Sequence, residues 1–170
     1  LGHELKVRSR PDHGSTFSVV LPRVRAFVRV PVAEPMHGLA RLAGCRVALI
    51  DDDATVLESL QSLLQSVGID VIAGTSPDFV LRQLRQAGAP AFIISDYQLG
   101  DGVDGLGTVL SLRRELGEDI PALVMTGLAA TRELEIELEG HGIPLVAKPV
   151  RPVVLDAVIG SLLDAADEHG

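Results

Sequence analysis

Six polar residues close short apolar runs in this chain, and their types define a chemistry. Asp51, Asp52 and Asp53 follow Val47-Ala48-Leu49-Ile50, and Asp96 follows Ala91-Phe92-Ile93-Ile94-Ser95. Thr126 follows Ala122-Leu123-Val124-Met125, and Lys148 follows Pro144-Leu145-Val146-Ala147. Carboxylates gathered at one place resist joint ionisation unless a cation neutralises them. Hard oxygen ligands with room for water suit Mg²⁺, or Mn²⁺ in its place. A lysine ammonium and a threonine hydroxyl complete a site for a phosphoryl group, one offsetting oxygen charge and the other donating a hydrogen bond. A carboxylate can itself accept phosphate as a nucleophile. The combination predicts phosphoryl transfer onto an aspartate. Each residue alone has a plainer reading: Asp51 to Asp53 as helix caps, Thr126 as a cap or turn residue, Lys148 as a solvated side chain. Their order and spacing along the chain set them apart from these.

The elements that must position these groups are legible from periodicity. Val56, Leu57, Leu60, Leu63, Leu64 and Val67 recur at helical spacing over 54–67, and Gly68 ends that segment. A strand is expected over 69–73, a helix over 77–87 with Pro77 in its first turn, and helices over 106–116, 129–138 and 152–166. With strands over 47–50, 91–95, 122–125 and 144–147, five βα units follow one another. Strands that are apolar throughout are those covered on both faces. Right-handed crossovers then give an α/β fold with a doubly wound parallel five-stranded sheet, whose ligands bind at the carboxyl ends of the strands.

Upstream the pattern differs. Residues 3–9 and 15–21 alternate polar and apolar around Pro11-Asp12-His13-Gly14, a turn sequence, and read as a β-hairpin. Residues 23–44, with Pro31, Pro35, Gly38 and Gly44, read as a linker carrying a short strand at 26–30. Charge divides at the same place. The 170 residues carry a net −8, made of +4 over residues 1–44 and −12 over 45–170. That acidic balance and the five aromatic residues argue against nucleic-acid binding. The single cysteine, Cys45, excludes a disulfide framework or a multi-cysteine zinc site and fits a reducing cytoplasm. No apolar run is long enough to span a membrane. The start at Leu1-Gly2-His3-Glu4, without an initiator methionine, is expected of a piece of a longer protein.

Val47-Ala48-Leu49-Ile50-Asp51-Asp52-Asp53, Ile94-Ser95-Asp96-Tyr97-Gln98-Leu99, Val124-Met125-Thr126-Gly127 and Val146-Ala147-Lys148-Pro149 together resemble the receiver domain of two-component response regulators. The resemblance covers residues 45–168. It implies a flavodoxin-like sheet of order 2-1-3-4-5. It also implies Asp96 as the phosphoacceptor, and a metal held by Asp51, Asp52, Asp96 and the backbone carbonyl of Gln98. Thr126 would contact the phosphoryl oxygens, Lys148 would pair with the acyl phosphate, and Gly127 would leave room for it. A cis peptide before Pro149 belongs to the same pattern. Asp53 has no role in it, so capping is expected there. The aromatic residue common three positions before the lysine is replaced by Leu145, so a threonine–aromatic rotamer switch cannot operate in its usual form.

Residues 1–22 resemble the last two strands of a histidine-kinase ATP-binding domain, without its nucleotide-binding boxes. His3, His13 and the other three histidines are therefore not read as phosphodonors. The combined reading is the receiver of a hybrid sensor histidine kinase of bacterial type. It takes phosphate from a kinase dimerisation and phosphotransfer domain, or from a histidine phosphotransfer protein. It catalyses its own phosphorylation and dephosphorylation, and makes no membrane contact of its own. Two rivals stand beside it. One is a receiver-like docking module that is never phosphorylated. The other is a haloacid-dehalogenase-like phosphatase using Asp51 and Asp53 of Asp51-Asp52-Asp53-Ala54-Thr55, although no acidic strand end follows Lys148 as that chemistry needs.

Overall fold

In the computed structural model of the chain, residues 4–10, 14–20, 37–100, 102–116, 120–127 and 131–169 are described. The chain divides into two units, Leu1–Glu34 and Pro35–Gly170. The first holds the expected hairpin: β1 (Glu4–Arg10) pairs antiparallel with β2 (Gly14–Val20), Val7 lying opposite Phe17. Gly14 takes a φ of 88°, a conformation that glycine adopts without strain. The strand expected at 26–30 lies outside the described residues.

The second unit begins with a short helix, α1 (His37–Arg41). There follow β3 (Arg46–Ile50), α2 (Ala54–Ser66), β4 (Asp70–Gly74), α3 (Pro77–Ala87) and β5 (Phe92–Asp96). The chain continues with α4 (Gly105–Leu116), β6 (Ala122–Thr126), α5 (Arg132–Gly140), β7 (Leu145–Ala147) and α6 (Pro152–His169). All five strands are parallel, in the order β4-β3-β5-β6-β7. Counted within this unit the order is 2-1-3-4-5, as expected.

Alternation along the strands divides the core in two. Val47, Leu49, Phe92, Ile94, Leu123 and Met125 face one side, against Leu57, Leu60 and Leu64 of α2 and Leu155 and Ile159 of α6. Ala48, Ile50, Ile93, Ala122 and Val124 face the other, against α3, α4 and α5. The strands carry almost no polar residues before their ends because both faces are covered. Polar side chains therefore gather where the strands stop.

Helix α1 lies within the stretch read from sequence as linker, and that reading is corrected for residues 37–44. Leu39 and Leu42 are buried in the core shared with α2 and α6. A Cβ on Gly38 would overlap the Asp156 carbonyl oxygen and lie 2.6 Å from the Gly160 amide, so α1 and α6 touch backbone to backbone. The Leu39 amide donates to Asp156 Oδ1 at 2.8 Å, and Arg41 pairs with Asp164 and Asp167 at 2.5 and 2.6 Å. Five residues are too few for a periodic signal, and only the tertiary contact makes this segment a helix.

The contact predicts an asymmetry. Gly38→Ala forces two backbones apart and should cost about 1–3 kcal/mol of stability in urea denaturation. Arg41→Ala removes pairs whose acidic partners are largely exposed and should cost less than about 1 kcal/mol.

Candidate phosphoryl-transfer site

Register brings the strand-end groups level. Ile50 is paired with Ser95, and Asp96 with Met125, so Asp51 and Asp96 leave neighbouring strands in the same row. Thr126 is paired with Ala147, one row further on, and Lys148 follows. The ladder continues into the loops: the Tyr97 amide donates to the Met125 carbonyl and the Lys148 amide to the Thr126 carbonyl, each at 2.7 Å. The Lys148–Pro149 peptide is cis, as the resemblance implied.

Lys148 Nζ lies 2.7 Å from Asp51 Oδ2 and 3.0 Å from Asp96 Oδ1. Asp51 is fully buried and Asp96 is 5% exposed. Asp51 Oδ1 accepts the Asp53 amide at 3.0 Å. Asp51 Oδ2 faces the Lys148 ammonium, and no other donor reaches it among the described residues. Asp52 is exposed beside them, and one carboxylate oxygen from each of Asp51, Asp52 and Asp96 falls within 4.8 Å of the others. A buried carboxylate oxygen with one cationic partner, among three hard donors, fits a small divalent cation.

The titration behaviour follows from this crowding. Burial pushes the Asp96 carboxyl above its ordinary 3.8; the Lys148 ammonium pulls the other way and Asp51 adds to the rise. Burial works to lower the Lys148 ammonium, but Asp51 and Asp96 carry it above 10.5.

The other expected residues have distinct places. Asp53 caps α2, its carboxylate accepting the Thr55 and Val56 amides at 2.8 and 3.4 Å, and those bonds hold it below the usual aspartate range. It serves the helix, as expected, and not the cluster. Thr126 is buried at the end of β6. A Cβ on Gly127 would meet nothing within 4 Å, so open space adjoins Thr126. Gln98 sits in the loop after β5, in a bridge with Asp104. That bridge uses the Leu99 and Gly105 amides and the Val103 and Tyr97 carbonyls, which leaves the Gln98 carbonyl outside it. Two neighbours were not singled out from sequence: Ser95, whose hydroxyl donates to the Asp96 carbonyl, and Gly105, which lets α4 sit on that carbonyl. A serine inside an otherwise apolar strand was the one available signal for the first.

A doubly wound α/β sheet that ends in three carboxylates and a lysine defines a class of protein that handles phosphoryl groups with a divalent cation. The family described as response regulator receiver domain matches residues 47–160, and the chain belongs to it. It is a receiver domain of two-component signalling, a family that binds Mg²⁺ at such an acidic cluster and interacts with histidine kinases or phosphotransfer proteins. The chain is 30% identical over 131 residues to the sensor protein TorS of Escherichia coli (strain K12), covering 76% of this chain and 14% of that protein. It is 28% identical over 127 residues to the DNA-binding response regulator MtrA of Mycobacterium tuberculosis (strain CDC 1551 / Oshkosh), covering 73% of this chain and 53% of that one. It thus spans from a seventh to about half of the length of these relatives. The CheY-like response regulator receiver domain protein of Methanospirillum hungatei JF-1 has the same fold, with a TM-score of 0.63 at 22% identity, over 74% of this chain and 98% of that one. Among the described residues no helix is long and apolar enough to cross a membrane.

The crowded carboxylates set a pH dependence for the metal-free protein. Folded Asp96 keeps its proton to higher pH than the unfolded chain does. The folded state therefore binds more protons just above 3.8, and stability falls as pH rises through that window. Asp96→Asn should remove this fall and raise stability at neutral pH by about 1 kcal/mol, measured by urea denaturation in EDTA. An equal slope in both proteins would contradict the assignment.

Proposed function

We propose that the chain is the phosphoacceptor receiver of a hybrid sensor histidine kinase, taking a phosphoryl group from a phosphohistidine onto Asp96. The observation that carries this reading is the single ammonium of Lys148 placed against both Asp51 and Asp96 at a parallel-sheet edge, beside Asp52. In the reaction an Asp96 carboxylate oxygen attacks phosphorus, the N–P bond of the donor breaks, and the imidazole leaves with the electron pair. Asp51, Asp52, Asp96 and the Gln98 carbonyl would hold the metal. Bound Mg²⁺ would offset charge on the phosphoryl oxygens as they move between donor and acceptor.

Lys148 supplies the second positive charge. Once Asp96 is esterified, the ammonium loses one carboxylate partner and can turn to a phosphoryl oxygen. Thr126 would donate its hydroxyl to another such oxygen in the space beside Gly127. A groove of about 500 Å³ opens beside Lys148 and Pro149, walled by Thr55, Val56 and Ser59 of α2, and offers a donor room to approach. Water later hydrolyses the acyl phosphate, so the chain catalyses both its own modification and its reversal.

The hybrid setting is supported by the match to a sensor protein and by the hairpin at residues 4–20, which suits the end of a kinase ATP-binding domain in residues 1–22. Residues 45–168 would then be the receiver, with α1 of the expected linker docked on it. The DNA-binding activity in the name of MtrA belongs to that protein. The net −12 over residues 45–170 supports a receiver that does not itself touch nucleic acid. A cytoplasmic location fits the phosphohistidine donor. Leu145 is half-buried against the core on the α5 side, so the output motion must proceed without an aromatic ring at that position.

Incubation with acetyl phosphate and Mg²⁺, followed by intact mass, should show one added phosphoryl group. Asp96→Asn should abolish it and Asp53→Asn should leave it. Phosphate retained by Asp96→Asn and lost in Asp53→Asn would favour a phosphatase-type nucleophile site. No phosphate on the unmutated chain would favour a docking module.

A further inference from the structure

The backbone carbonyl of Asp96 closes β5 beneath helix α4, and two residues outside the carboxylate–lysine cluster control its surroundings. Ser95 is fully buried, and its hydroxyl donates to that carbonyl at 3.0 Å. Alternation places Ser95 on the sheet face of Ile93 and Val124, the face that α4 covers. Every earlier residue of β5 is apolar, so the packing does not call for a hydroxyl there. Gly105 opens α4 and is buried. A Cβ on it would overlap the same carbonyl oxygen and stand 2.9 Å from both Asp96 C and Tyr97 Cα. Its amide donates to the Tyr97 carbonyl at 2.8 Å, while the Tyr97 amide donates to Met125. The Asp96–Tyr97 peptide is thus gripped from three sides.

We infer that Ser95 and Gly105 are positioning residues for the reaction at Asp96, an inference that rests on the function proposed above. A buried carbonyl without a donor tends to turn toward solvent. Rotation of this peptide would change the direction in which the Asp96 side chain leaves the backbone. The Ser95 hydroxyl removes the incentive to rotate. The bare Cα of Gly105 lets α4 close over the peptide without pushing it. The acceptor carboxylate is then held in one direction before any donor arrives, which is the geometric condition for fast in-line attack.

The test compares Ser95→Ala, Ser95→Thr and Gly105→Ala with Thr108→Val. The last removes another buried hydroxyl bond, from Thr108 to the Asp104 carbonyl at 2.9 Å in the same helix, without touching Asp96. The rate of phosphate gain is followed by intact mass at saturating acetyl phosphate and Mg²⁺, and stability by urea denaturation. Ser95→Ala and Gly105→Ala should react about tenfold more slowly, Thr108→Val within about twofold of the unmutated chain, and Ser95→Thr should recover the rate. If Gly105→Ala does not fold, the Ser95 pair still decides. An unchanged rate in Ser95→Ala overturns the inference alone, as does an equal slowing by Thr108→Val at equal loss of stability. An unmutated chain that takes up no phosphate overturns the function with it.

Discussion

One ammonium between two buried carboxylates sets the terms for this molecule. Asp51 and Asp96 leave adjacent strands in the same row and both are buried, which makes the ionised form of Asp96 costly. Lys148 reaches both, yet Asp96 stays above its ordinary pKa. The site is undercharged on the positive side. Three carboxylates facing one ammonium form a donor set that suits a divalent cation. A third carboxylate, Asp52, is exposed at the rim, where it can take part in metal binding at little cost in desolvation.

The rest of the fold holds this imbalance in place. Asp53 ties down the start of α2 by accepting two amides, and the Asp53 amide in turn holds Asp51 Oδ1. Three consecutive aspartates therefore do three jobs: one buried in the ion pair, one exposed beside it, one capping a helix. Ser95 of β5 and Gly105 of α4 act on the backbone of Asp96, not on its side chain. Further along, the Lys148 amide joins the strand ladder through Thr126, which fixes where the long lysine side chain starts its reach. A flexible stem on an anchored base is well suited to exchanging one oxygen partner for another.

Away from the site, α1 changes how the receiver connects to what precedes it. Its backbone meets that of α6 at Gly38 and Gly160, and Leu39 and Leu42 extend the core of α2 and α6. The folded body thus begins before β3, with α1 packed on α6. Helix α6 starts four residues after Lys148.

Much of this was legible in the sequence because it depends on period and punctuation. Apolar runs of strand length, each closed by a polar residue and separated by amphipathic segments, specify a covered parallel sheet, and the residues that close the runs must share its edge. Asp51, Asp52, Asp53, Asp96, Thr126 and Lys148 could be named on that ground, and the resemblance to receiver domains set Asp53 aside as a cap. Helix α1 was not legible, because five residues carry no period and Gly38 reads as a breaker until α6 is beside it. Gly105 and Ser95 were not legible either, since their roles lie in distances to a backbone carbonyl. Nor could the sequence show that one Lys148 ammonium would lie against both Asp51 and Asp96. Residue types and their order along the chain determine which groups meet. How completely each group is satisfied is decided only when packing brings residues distant in sequence to within a few ångströms, because desolvation and ion pairing depend on distance.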